Sequence, residues 1–300
     1  GYNTAVGYVA GAAMTTAINN TLIGASAGDA LTTGGDNVAV GSGALTGQES
    51  GNSNVAIGRN AMAQGTATDR NVAIGYFSLN NLSFAGDSYN VAVGYNAGLS
   101  VTTGTSNTLI GGLSGDAITT GIDNVVLGYN ALSTEDTGSR SVAIGREALR
   151  DQNYDGSAYN VAIGYQAGKL VTTGTYNIAL GAESLAGNNV TGIYNIAIGY
   201  RAGYNISSGD KNIAIGHNAL KTEDANNGNI AIGYLALEDL NAGADAYNVA
   251  IGNEAGKEVT TGNENTLIGG FAGDALTTGS ANVAVGYLAL SAEDAHGTNT

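Results

Sequence analysis

The stretch Asn212-Ile213-Ala214-Ile215-Gly216 returns seventeen residues later as Asn229-Ile230-Ala231-Ile232-Gly233. Working outward, segments of the same form begin at Asn3, Asn20, Asn37, Asn54, Asn71, Asn90, Asn107, Asn124, Ser141, Asn160, Asn177, Asn195, Asn248, Asn265 and Asn282. An eighteenth starts at Asn299. The interval is 17 residues except for three of 19, before Asn90, Asn160 and Asn248, and one of 18 before Asn195. A repeat this regular is one supersecondary unit stacked many times. No linker interrupts it, so residues 1–300 read as a single repeat array.

Within each coil the second residue is Val, Ile or Thr and the fourth Val, Ile or Leu. The third is Ala in 13 coils and Leu or Val in the others. The fifth is Gly throughout, the eighth Ala or Ser, the ninth Gly, Leu or Met. A short β-branched run closed by Gly is a strand ending at a corner. The expected fold class is therefore all-β: a parallel β-solenoid, or β-roll, of about 17 coils of mostly 17 residues. One coil has too little apolar surface to offset the entropy of ordering itself, so stability must be collective.

Three columns follow. The Asn column (Asn37, Asn54, Asn71, Asn160, Asn212) is expected to stack side-chain amides along the axis, each donating and accepting. The glycine column (Gly41, Gly58, Gly75, Gly164, Gly233) is expected at a corner with positive φ or no room for Cβ. Period-two alternation puts positions two and four on one face and position three on the other. If two and four fill the interior, Ile215 and Ile232 are interior neighbours. Ala162, Ala179, Ala197, Ala214 and Ala231 then form an outward apolar stripe, a candidate seam between chains.

Composition excludes several functions. There is no Cys, Pro or Trp, which removes disulfides, thiol nucleophiles and zinc ribbons. Glycine is 48 of 300 residues, far above the usual share of about 7%. Ten basic residues against 25 acidic give a net charge of −15, an unsuitable balance for nucleic acid or an anionic membrane surface. No apolar run is long enough for membrane insertion.

The Asn-Val-Ala-Ile-Gly segments, as at Asn54–Gly58 and Asn160–Gly164, resemble the β-roll heads of trimeric autotransporter adhesins. The longer form at Asn90–Gly98, followed by Thr102-Thr103-Gly104, is similar to phage tail-fibre repeat arrays. The resemblance covers the whole chain, whose coil is longer than in most adhesin heads. It implies a left-handed roll wound as a parallel homotrimer. It also implies a non-enzymatic structural or adhesive fibre segment, extracellular and on a virion surface, that mediates host attachment through a surface glycan or protein. The alternative is a bacterial trimeric surface adhesin on the cell surface. Because the sequence begins and ends inside a repeat, it is expected to be a window on a longer fibre protein.

An alternative of another class is a polysaccharide-degrading tailspike, which needs a carboxylate pair beside a sugar groove. Acidic pairs occur at Glu135-Asp136, Glu223-Asp224, Glu238-Asp239 and Glu293-Asp294. Three recur at equivalent places in duplicated blocks, which favours a solvated acidic edge over a unique catalytic site. No catalytic residue, cofactor or metal site is therefore expected; segments such as Gly112–Asp116 offer a calcium ion one carboxylate each. His217 replaces Tyr in the sixth-position column (Tyr8, Tyr76, Tyr95, Tyr129, Tyr165, Tyr200, Tyr234, Tyr287), which is expected to lie on the surface.

Overall fold

A three-residue strand follows the first residue of each described motif and ends just before the invariant Gly; two further two-residue strands, Thr68–Asp69 and Gly86–Asp87, pair with each other. The structure, a computed structural model, describes residues 1–243 and 245–292; Glu293-Asp294 and the motif at Asn299 lie outside them. The chain forms two compact units, one of Gly1–Glu147 with Asn153–Ser157, the other of Ala148–Gln152 with the residues from Ala158 onward. The first carries nine motif strands, Thr4–Val6 to Val142–Ile144, and the second eight, Val161–Ile163 to Val283–Val285. Neighbouring strands pair in parallel and in register, motif position on motif position, as in Ile213↔Ile230, Ala214↔Ala231 and Ile215↔Ile232. The fold is thus a parallel β-solenoid of about 17 turns, and the described residues contain no helix.

The glycine corner is doubly constrained. Gly41, Gly58, Gly75, Gly164 and Gly233 have φ of 137°, 132°, 137°, 141° and 143°. A Cβ on Gly41 would lie 2.6 Å from the carbonyl oxygen of Gly58, and one on Gly164 2.7 Å from that of Gly181. Both the conformation and the approach of the next coil therefore demand Gly.

The Asn column runs inside the coils and closes them. Asn37 donates its backbone N–H and its Nδ2 to Asn20 Oδ1, at 3.0 and 3.1 Å. Its Nδ2 also donates to the Gly51 carbonyl at the far end of its own coil, 2.8 Å away. Asn54, Asn71 and Asn212 likewise donate backbone N–H groups to the preceding Asn Oδ1. Asn160 donates Nδ2 to the Gly174 carbonyl at 2.7 Å and to Gln152 Oε1 at 2.9 Å. All five are buried, so each amide satisfies groups that would otherwise be orphaned.

Because Asn at position one points inward, so does position three. Ala162, Ala179, Ala197, Ala214 and Ala231 are buried inside their own chain, at 2% exposure or less. They cannot form the seam between chains. Ile215 and Ile232 are adjacent in register, yet both lie half-buried on the outer face. The assignment of faces from alternation is corrected here, and the cause is steric. The interior is filled from the turn side by the eighth, ninth and twelfth positions, leaving room for little more than a methyl at position three.

Complementary volumes show this. Where position nine is Leu or Met, that side chain is buried, as Leu45, Met62, Leu132 and Leu220 are, except for the half-buried Leu290 of the last described coil. Where it is Gly, position twelve is a large aliphatic, as in Leu31, Val101, Ile118, Val171, Ile206, Val259 and Leu276, all buried. Leu appears at position three only beside two successive ninth-position glycines. A Cβ on Gly98 or Gly115 would lie 2.7 or 2.9 Å from one or the other methyl of Leu109. Gly256 and Gly273 flank Leu267 in the same way, at 2.6 and 2.8 Å. Ninth-position residues adopt left-handed backbone whether Gly or Leu, for example Gly115 at 52° and Leu132 at 47°. Packing density is thus conserved across neighbouring coils rather than at each position.

Candidate interaction surface

With Asn and Ala inside, the bulkiest columns of each strand face outward. Val38, Val55 and Val72 at position two and Val40, Ile57 and Ile74 at position four line this face in the first unit. In the second it carries Ile196, Ile213 and Ile230 beside Ile198, Ile215 and Ile232. Stacking against the coils above and below covers the flanks of each side chain and leaves its tip in solvent: Ile57, Ile163, Ile251 and Ile268 are exposed. β-branched residues suit such a pleated, half-covered surface.

Aromatic columns flank the aliphatic ones. The sixth-position tyrosines are all exposed, and Tyr76 stacks on Tyr95 with centroids 5.6 Å apart. His217 takes its place in the same column between Tyr200 and Tyr234, 5.3 Å from each ring. Arg59 and Arg146 lie over Tyr76 and Tyr129 at 5.9 and 5.7 Å. A second column, which sequence reasoning missed, stands on the residue preceding each motif Asn. There Tyr159, Tyr176 and Tyr194 stack at 5.0 Å spacings. Their backbones are left-handed, at 51°, 57° and 60°. The signal was Tyr-Asn at the head of those three motifs. The outer face is therefore a strip with aromatic edges and an aliphatic centre.

The acidic pairs do not form the solvated edge expected of them. Glu135 and Glu223, each twelfth in its coil, are fully buried. Glu135 accepts N–H bonds from Gly138 and Tyr154, at 2.7 and 3.2 Å. Glu223 accepts the Asn226 N–H at 2.7 Å and its Nδ2 at 2.8 Å. Burial pushes the Glu223 carboxyl up to about 7 against the pull of those bonds. Glu238 is half-buried, 3.3 Å from Lys221 Nζ. Among the described residues no three His, Asp or Glu side chains converge as metal ligands, and Asp116 supplies one partly buried carboxylate whose pKa burial raises.

No protein-family model matches the chain, and a search of curated proteins finds no match.

Proposed function

We propose that the chain is a non-enzymatic structural and adhesive fibre segment, the β-roll shaft or head of a viral tail fibre that attaches to a host surface. The bacterial counterpart, the head of a trimeric surface adhesin, is the alternative. The observation that carries this reading is the outer face. Every described coil sets a Val, Ile or Leu outward at position four, beside Val or Ile at position two in all but the four coils that carry Thr4, Thr21, Thr108 and Thr266, with tyrosines along both edges. A repeated apolar strip favours cover by a partner of the same period, and a second and third copy in parallel have that period by construction. The seam between copies is assigned to positions two and four, in place of the buried Ala column. The acidic surface, net −15, keeps such an assembly soluble in the extracellular setting proposed for it.

Light scattering on the whole chain tests the assembly. Three copies per particle are expected, and replacing Ile213 and Ile230 together by Glu should give a folded monomer. A wild-type monomer would remove the trimer. Attachment is tested separately, by binding of the labelled chain to a glycan array and to whole cells. Release of oligosaccharides from a host polysaccharide by this chain would replace the reading with the tailspike.

A further inference from the structure

The solenoid interior is built from aliphatics, Ala and self-satisfied amides, and Glu223 is an ionisable exception. It occupies the twelfth position, where other coils place Leu31, Ile118 or Leu276. Two more coils place a buried amide there. Gln48 Oε1 accepts the Thr68 N–H at 3.0 Å and its Nε2 donates to the Gln64 carbonyl at 3.2 Å. Gln152 Oε1 accepts Asn160 Nδ2 at 2.9 Å. Outside the coils of Glu135 and Glu223, these buried occupants of the position are apolar groups or neutral amides, and a protonated carboxyl is the isostere of that amide.

The surroundings of Glu223 favour the neutral form. Asp210 and Lys211 belong to the coil before it, Lys221 and Asp224 to its own, and Glu238, Asp239 and Asp245 to the coil after. Lys221 is engaged by the half-buried Glu238. Asp210 accepts the Ile193 N–H, and Asp245 accepts from Asn227 and Tyr247. The charge that acts on Glu223 is that of Asp224, of the same sign. Asn226, whose amide contacts Glu223, has its Oδ1 buried with no donor. A protonated Glu223 has a donor to offer that oxygen once the amide turns; a carboxylate has none.

We propose that Glu223 is a proton-controlled latch: neutral, it seals the coil Asn212–Gly228, and on ionisation it opens that coil locally while the remaining coils stay stacked. The direction follows from linkage. A carboxyl whose folded pKa lies above its unfolded value of 4.5 binds its proton more tightly when folded. Its contribution is therefore fully present below that lower value and is lost as pH rises through about 7. The latch holds in acid and loosens in neutral to alkaline solution.

Hydrogen exchange on the full chain, corrected for the intrinsic pH dependence of exchange, tests this with wild type and Glu223→Gln. Between pH of about 5 and about 8.5, wild-type amides of residues 212–228 should lose protection by roughly 100-fold. Glu223→Gln should hold its protection, and the coil from Asn265, with Leu276 at the same position, should be flat in both. Equal slopes in wild type and Glu223→Gln would overturn the latch. Should the variant fail to fold, a carboxyl-carbon NMR titration of the wild type decides. With the Glu223 resonance assigned, its titration near neutrality supports the latch, and its titration in the ordinary acidic range refutes it.

Discussion

Ala214 and Ile215 are consecutive residues of one three-residue strand, and they occupy opposite worlds. The smaller is sealed inside the coil and the larger has its tip in solvent. In most half-buried strands the larger residue is the inner one. Here the order inverts because the interior is furnished from the turn side, by Leu at position nine or an aliphatic at position twelve. The inner strand face only lines a space already filled. Side-chain volume alone therefore does not tell inside from outside in a narrow solenoid; the parity of the buried Asn does.

The largest effect should come from charging the inner face. Ala214→Glu would place a carboxylate without a designed partner among close-packed coils, costing about 3–5 kcal/mol by analogy with an unpaired buried charge. Urea denaturation followed by circular dichroism should show loss of fold in the second unit, rather than a folded monomer. A melt like that of the wild type would return Ala214 to the surface.

The corner is nearly as intolerant. Gly233→Val puts a β-branched residue at φ of 143°, with its Cβ 2.6 Å from the Gly252 carbonyl carbon. A cost of about 2–4 kcal/mol is expected, combining strain with the displaced coil. Thermal melts of Gly233→Val against Gly233→Ala isolate the contribution of the branch, since Ala has the same φ and the same Cβ contact without it.

Leu109 sharpens the comparison because it is a large residue on the inner face. Leu109→Ala should cost about 3–5 kcal/mol, since the flanking Gly98 and Gly115 carry no side chain of their own to fill the space. Gly115→Leu alone should overpack, at about 1–3 kcal/mol. The two together recreate the set of the coil from Asn229, where Ala231, Leu237 and Leu240 are all buried. The double variant should thus recover about 1–2 kcal/mol relative to the sum of the singles. Additive losses in a double-mutant cycle would mean that the volumes are not coupled.

How much of this was legible in the sequence differs from column to column. The coil length, the strand and the glycine corner were readable because each is a backbone requirement repeated in every coil, as at Gly41 and Gly164. The direction of the strand was not, because Val, Ala and Ile are all apolar and alternation carries no sign. Two features held that sign. Asn at position one shares parity with Ala at position three, and an amide ladder that closes the coil has to lie inside. Leu22, Leu109 and Leu267 also occur only where consecutive ninth positions are Gly. The burial of Glu135 and Glu223 was hidden because both stand in polar turns beside an Asp. What marked them was their alignment with Leu31 and Ile118 at the twelfth position.

The smallest effect on the fold is expected at Ile215, and its value lies in that smallness. Ile215→Glu removes a β-branched residue from a half-covered outer column, a change worth about 0.5–1 kcal/mol in strand preference. Its neighbours Ile198 and Ile232 in the same column keep their backbone register, since the ladder bonds do not involve side chains. The monomer should therefore melt within a few degrees of wild type. Association is where the substitution should act. If copies meet through positions two and four, each chain brings one carboxylate to the same level of the seam, and like charges stripped of water repel strongly. Sedimentation of Ile215→Glu should then show folded single chains at concentrations where the wild type is assembled, with partial recovery at high salt. Ile215→Thr, which keeps the β-branch and the neutrality, should assemble nearly as the wild type does. Assembled Ile215→Glu would move the seam off this face while leaving the inner-face assignment intact, because that assignment is tested by Ala214→Glu alone.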